Sequence, residues 1–160
     1  MKRTFALLAL LFSFSVLSYG QKLQFLKNES RIKLVINYSE ASIVGHNEDT
    51  ILGFEEDWEI DQPILYSKLT EKFNGKMGNG LVAGEFKSSN YTMEVRPLII
   101  KRSGYILAYF VILDNDGNEV YHSKDLKADG GILGTFLNLL GDGMRQLGIK
   151  MAKEVKTEMK

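Results

Sequence analysis

The chain has 160 residues, no cysteine, and 20 basic residues that balance 20 acidic ones. Near-neutrality argues against a protein that binds nucleic acid or coats an anionic membrane, because both need a basic surface. The absence of cysteine excludes disulfides, a cysteine nucleophile, an iron–sulfur cluster and a thiolate zinc site.

The first twenty residues have the pattern of a secretory signal peptide. Lys2 and Arg3 precede an apolar run from Phe5 to Leu17, and the small residues of Ser18-Tyr19-Gly20 precede Gln21. The alternative is a retained membrane anchor, but the run is shorter than the roughly 20 residues that span a bilayer. No cysteine is present for a lipid anchor. We therefore expect export to the periplasm, cell surface or medium, and not a lipoprotein.

Removal of residues 1–20 leaves 21–160, which we expect to form a single α/β domain. This segment holds 18 basic and 20 acidic residues, a net charge of −2. A chain of this length buries enough surface to fold without disulfides.

The first half of the domain predicts one strand and two helical segments. The alternation from Arg31 to Tyr38 indicates a strand with one apolar face. The segment from Asn47 to Glu59 is ambiguous: Asn47 suits a helix N-cap and Ile51, Phe54 and Trp58 have helical spacing, but Gly53 opposes a helix. Pro63 to Met77 predicts a better helix, with Pro63 in its first turn and an apolar stripe at Leu65, Leu69, Phe73 and Met77.

The second half predicts three strands and a long helix. Tyr91 to Ile100 alternates but contains Pro97, which indicates an edge strand or a bulge. Tyr105 to Leu113 is almost continuously apolar, as in a central strand covered on both faces. A turn at 114–118 leads to a short strand over 119–123. An apolar stripe then predicts the long C-terminal helix, through Leu133, Leu137, Leu140, Met144, Leu147, Met151 and Val155.

This order predicts a two-layer α/β sandwich of the α+β type. We expect a mixed or mostly antiparallel sheet of about four strands, two or three helices, and the C-terminal helix packed on the sheet. Gly134, Gly141 and Gly148 recur every seven residues near or in that helix. Glycine destabilises a helix, so they indicate close packing inside the molecule or self-association through this helix.

Three segments invite a chemical interpretation, and each also has a structural one. The acidic stretch Glu48, Asp49, Glu55, Glu56, Asp57, Glu59 and Asp61 suits Ca²⁺ binding or general acid–base catalysis, but also a solvated face around apolar anchors. The segment 114–119 resembles a calcium loop but lacks glycine at its sixth position, which favours a hairpin turn. The glycine-rich segment 129–135 precedes a helix, as phosphate-binding loops do, but it lacks the P-loop lysine.

The two histidines give no catalytic pattern. A triad would bring His46 or His122 next to a serine, and no Gly-x-Ser-x-Gly elbow is present, since Ser103 lies in a predicted turn. We expect His122 at the surface and assign neither histidine a catalytic role. The sequence predicts no catalytic, cofactor-binding or metal-binding residue.

Three segments taken together resemble a group of small secreted proteins of unknown function from Bacteroidetes. They are Ile-Asn-Tyr-Ser-Glu-Ala-Ser-Ile over 36–43, Asp-Trp-Glu-x-Asp-x-Pro over 57–63, and Gly-Gly-x-x-Gly-Thr-Phe-Leu-Asn-Leu over 130–139 with Gly-Asp-Gly over 141–143. The resemblance implies a periplasmic or surface α/β domain and supplies no activity, cofactor or site residue.

The sequence thus favours an exported, non-enzymatic envelope domain that binds a protein or a small ligand. The alternative from another class is an exported hydrolase that uses carboxylates between Glu48 and Asp61.

Overall fold

A computed structural model of the chain describes residues 22–160. The predicted signal peptide and Gln21 lie outside the described residues.

Residues 22–160 form one mixed sheet and three α-helices. The strands are β1 (Arg31–Ile36), β2 (Ser42–Ile43), β3 (Val82–Gly84), β4 (Thr92–Ile100), β5 (Ile106–Leu113), β6 (Glu119–His122) and β7 (Leu126–Ala128). The helices are α1 (Glu48–Ile51), α2 (Trp58–Met77) and α3 (Phe136–Glu158), and a 3-10 helix covers Gln24–Asn28. The fold class is α+β, as predicted, but with seven strands instead of about four.

The sheet has the order β3-β1-β4-β5-β6, with β2 beside the end of β4 and β7 beside the start of β5. Strand β1 is parallel to β3 and to β4, whereas β5 is antiparallel to β4, β6 and β7. Strands β2, β3 and β7 have only two or three residues each, so they carry no readable alternation. This is why the sequence predicted fewer strands.

The central strands follow the predicted alternation in β4 but not entirely in β5. Met93 and Val95 are buried in the core, and the register of β4 against β5 shifts between Pro97 and Ile99. The proline therefore causes a bulge in a central strand and does not mark an edge. In β5, Leu107 and Tyr109 are only half-buried, so the prediction that both faces are covered is wrong for these positions.

Both long helices pack against each other and on one face of the sheet. Helix α2 buries the predicted stripe of Leu65, Leu69, Phe73 and Met77. It begins at Trp58, before the predicted start at Pro63, because the Trp58 ring is buried edge-on against Tyr38 at 5.2 Å between centroids. That packing anchors an additional turn ahead of the proline.

Helix α3 confirms the long C-terminal element but not its predicted start. The helix begins after Thr135, whose hydroxyl accepts a hydrogen bond from the Asn138 N–H as an N-cap. Leu133 lies before this cap and is 88% exposed, so it does not belong to the buried stripe. No helix among the described residues is both long and apolar enough to cross a membrane.

Candidate functional site

The candidate site lies at the end of the molecule where α2 and α3 begin. Arg102, in the turn between β4 and β5, pairs with Glu55 at 2.6 Å. Its guanidinium also lies 5.6 Å from the centroid of the Phe136 ring. Glu55 precedes α2 and Phe136 begins α3, so this one side chain joins the turn to both helix N-termini.

Large apolar side chains are exposed in the two segments that carry Glu55 and Phe136, and we call the four most exposed of them the apolar end. They are Phe54 (61% exposed), Ile60 (68%), Ile132 (96%) and Leu133 (88%). Phe54 shares the helical spacing of Ile51 and Trp58, but those two residues are buried and Phe54 is exposed. Single exposed apolar residues are normal, whereas large contiguous apolar patches are rare on the surface of monomeric proteins.

Close backbone packing fixes the loop that carries Ile132 and Leu133 at the two residues just before them in the chain. A Cβ on Gly130 would overlap the carbonyl group of Ser103. The Gly131 N–H donates to the Leu139 C=O at 3.3 Å, and a Cβ on Gly131 would lie 2.5 Å from a carboxylate oxygen of Asp142. These glycines serve close packing, and the Gly131 amide is used inside the protein.

The predicted acidic stretch lies partly at the same end, but its carboxylates have different surroundings. Glu55 is bound to Arg102, as described above. Burial, followed by the charges of Asp57 and Glu55, raises the pKa of Asp61. Glu59 instead lines a cavity of about 240 Å³ that Glu85 also lines. Within residues 22–160, no group of three or more His, Asp or Glu side chains is placed to hold a metal ion.

The two histidines lie on different elements and each has an aromatic neighbour. The His46 ring stacks on Phe54 at 3.6 Å between centroids. His122, which is exposed on β6 as predicted, stacks on Tyr109 at 4.7 Å, and its Nδ1 lies 2.9 Å from a carboxylate oxygen of Glu119. No serine hydroxyl of the described residues is hydrogen-bonded to either ring.

The calcium-like segment forms the predicted hairpin turn between β5 and β6. The Asp114 carboxylate accepts hydrogen bonds from the backbone N–H groups of Asp116 and Asn118, each at 2.9 Å. Hydrogen bonds from Asn118 are the main reason that the pKa of Asp114 is lowered. Gly117 has a φ of 82°, which a glycine adopts without strain. The carboxylate thus stabilises the turn itself.

The repeated glycines of the C-terminal segment are explained mainly by packing between the helices. A Cβ on Gly148 would overlap the carbonyl oxygen of Leu69 in α2, and one on Gly141 would lie 2.7 Å from the Lys68 side chain. Gly134 has a φ of 135° and precedes the helix. Because Gly141 and Gly148 face α2, these two positions are not free to mediate self-association.

Neither a protein-family model nor a curated protein matches the sequence. Among solved structures, the chain resembles the PelC dodecamer from Paraburkholderia phytofirmans in two crystal forms. The TM-scores are 0.42 and 0.41, with 12% sequence identity over 81% of this chain and 86% of the PelC chain. A likeness of this degree carries no argument about assembly or function.

Proposed function

We propose that this protein is an exported domain of the cell envelope that binds another protein through the apolar end. The observation that carries the proposal is the exposure of Ile132 and Leu133, at 96% and 88%, on a loop anchored by glycine packing. Two adjacent aliphatic side chains fixed in water are unfavourable for the isolated domain. A partner that covers them recovers the hydrophobic contribution of their burial.

The charges around the apolar end define the partner's chemistry. Five carboxylates lie close to Phe54 and Ile60 in the chain: Glu55, Glu56, Asp57, Glu59 and Asp61. Of these, Glu55 is neutralised by Arg102. Complementary charge across an interface steers association and suppresses wrong partners. We therefore expect a partner surface with an apolar recess surrounded by Lys or Arg.

Crosslinked capture from the native cell envelope tests this proposal. Tagged mature protein should retain a stoichiometric partner, and the double variant Ile132→Ser, Leu133→Ser should lose it. The matched control is Val82→Ser, which removes a 40% exposed apolar side chain from β3, away from both helix N-termini. All three proteins should have the same melting temperature within error, because surface substitutions usually change stability by less than about 0.5 kcal/mol.

Two results would contradict the proposal. One is the capture of the same partner by the double variant and the wild type. The other is equal loss with the β3 control, which would indicate nonspecific adhesion of exposed apolar residues.

One specific observation favours the alternative, a carboxylate-dependent hydrolase: Glu59 and Glu85 line the same cavity. Turnover of ester, glycoside or phosphate substrates well above a heat-killed control would favour it. Activity should then be lost in Glu59→Gln with an unchanged melting temperature. Glu55→Gln is the matched comparison, because Glu55 binds Arg102 and stabilises the turn.

A further inference from the structure

A second surface, independent of the apolar end, lies along the open edge of β1. Strand β1 pairs with β3 only from Arg31 to Lys33, because β3 ends at Gly84. The edge from Leu34 to Ile36 has no strand beside it among the described residues. It faces a cavity of about 410 Å³ that adjoins the cavity of about 240 Å³ lined by Glu59. We call these joined cavities the β1 groove.

The backbone of β1 presents hydrogen-bonding groups to this groove. The Lys33 N–H donates to the carbonyl of Tyr91, just before β4, at 3.1 Å, and the N–H of Asn37, just after β1, donates to the Val95 carbonyl of β4 at 2.8 Å. Because successive residues of a strand direct these groups to opposite edges, those of Leu34 and Ile36 point away from β4. The pairing of Lys33 with Gly84 uses the Leu34 N–H, so the Leu34 carbonyl and both groups of Ile36 face the groove. The Leu34 carbonyl accepts from the Tyr66 hydroxyl at 3.2 Å. No hydrogen bond from residues 22–160 reaches the groups of Ile36 on this edge.

The groove has apolar walls and unequal charge along its length. Tyr66 of α2 and Phe86 form its aromatic sides. Two lysines, Lys33 and Lys87, line the larger cavity, Glu59 lines the smaller one, and Glu85 lines both, so the larger cavity has the more positive charge. The unpaired N–H and C=O of Ile36, together with the Leu34 carbonyl that is held only by the Tyr66 hydroxyl, fit a short extended main chain. Such a chain pairs with the strand while its side chains enter the cavities.

At the far end of the groove, the smaller cavity is also lined by Tyr38. This side chain is 4% exposed, and its hydroxyl has no hydrogen-bond partner in the described part of the chain. A buried hydroxyl without a partner costs free energy. Its oxygen has almost no exposed surface, so an incoming chain contacts only the rest of this side chain.

We propose that the β1 groove binds an extended peptide segment of another protein, which adds as a short strand beside Leu34–Ile36. An acidic residue of the segment lies at the end marked by Lys33 and Lys87. The first main-chain N–H of the segment takes the place of the Tyr66 hydroxyl on the Leu34 carbonyl. The Ile36 N–H and C=O provide the next pair of hydrogen bonds.

A library of random heptapeptides, panned on the purified mature domain, tests this binding mode. Proline at position 36 removes only a donor that faces the groove, and proline is tolerated at such edge positions. We expect the wild type to enrich peptides containing Asp or Glu, Ile36→Pro to lose that enrichment at least about tenfold, and Ile36→Val to retain it. No enrichment by the wild type over Ile36→Pro would overturn the proposal.

Two measurements remain decisive if Ile36→Pro fails to fold. With a selected peptide, the Ile36 amide of the wild type should exchange more slowly with deuterium, whereas the Val35 amide, which points to β4, should not change. Tyr66→Phe removes the hydroxyl that the peptide must displace from the Leu34 carbonyl. This variant should therefore bind the peptide about twofold to tenfold more tightly, which corresponds to the net contribution of one hydrogen bond. Unchanged exchange at Ile36, or weaker binding by Tyr66→Phe, would refute strand addition.

This experiment is separate from the one on the apolar end. A peptide that binds Ile132→Ser, Leu133→Ser as tightly as the wild type places the contact in the β1 groove. Loss of peptide binding in that variant would instead assign the contact to the apolar end and overturn the groove proposal.

Discussion

The close approach of α2 and α3 at Gly148 gives the sharpest test of the packing. Gly148→Ala adds one methyl group where a Cβ would overlap the Leu69 carbonyl oxygen and lie 3.1 Å from the Phe73 amide nitrogen. Both atoms belong to the backbone of α2, so no side-chain rotation relieves the overlap. The helices must separate, and the packing between them must loosen.

Two opposing terms set the magnitude. Alanine is better than glycine inside a helix by about 0.8–1.0 kcal/mol. Overpacking in a well-packed core costs about 1–3 kcal/mol, and a contact with fixed backbone belongs at the upper end of that range. We expect Gly148→Ala to lower the free energy of unfolding by about 1–2 kcal/mol.

Gly75 provides the matched control in the same helix pair. It lies inside α2, is exposed, and a Cβ there would meet nothing within 4 Å. Gly75→Ala should therefore raise the free energy of unfolding by about 0.5–1 kcal/mol from helix propensity alone. Urea unfolding at 25 °C measures both variants, with unchanged m-values as the check on two-state behaviour. If Gly148→Ala stabilises the protein as much as Gly75→Ala, the close contact between the helices is wrong.

The remaining predictions concern a buried hydroxyl and a partly buried carboxylate. Ser123→Ala should lower the unfolding free energy by about 1–3 kcal/mol in urea titration, because the buried Phe110 N–H loses the Ser123 hydroxyl at 2.8 Å; an effect below about 0.5 kcal/mol would contradict this. Burial raises the pKa of Glu94, but hydrogen bonds from Asn37 and Arg96 outweigh that effect, so the pKa is lowered from its usual value of 4.5. The stabilisation is therefore complete above pH 4.5 and is lost as the pH falls through the folded-state pKa. Between pH 7 and pH 3, the melting temperature should fall less steeply for Glu94→Gln than for the wild type. Parallel curves of melting temperature against pH would refute the stabilising role of the Glu94–Arg96 pair.

The sequence predicted well those elements whose own pattern is set by burial. The i, i+4 stripe from Leu65 to Met77 is buried as a unit in α2. The alternation through Met93 and Val95 likewise places those side chains in the core. In both elements, side chains that recur at the helix or strand period all pack against the same neighbouring layer. The spacing of apolar residues in the sequence therefore shows which face is buried.

Other features depend on contacts between segments far apart in the chain and leave no local pattern. Strand β3 has three residues and forms because Val82 to Gly84 meets β1, some fifty residues earlier. Leu133 has the correct spacing for the α3 stripe, but the Thr135 cap begins the helix after it. The β1 groove exists only because β3 ends early, and no residue type signals that ending. The signal peptide, export and the resemblance to Bacteroidetes proteins remain predictions.

The apolar end and the stability of the fold depend on the same glycines. Gly104 lies in the turn beside Arg102, and a Cβ on it would overlap the Leu139 carbonyl at the start of α3. Gly130 packs against the same turn, so turn, loop and helix approach more closely than residues with a Cβ would allow. That contact fixes the loop whose next residues, Ile132 and Leu133, are exposed. The glycines therefore hold in place exposed side chains that contribute nothing to the core, and this unfavourable exposure, maintained by close packing, is the physical basis of the binding function proposed above.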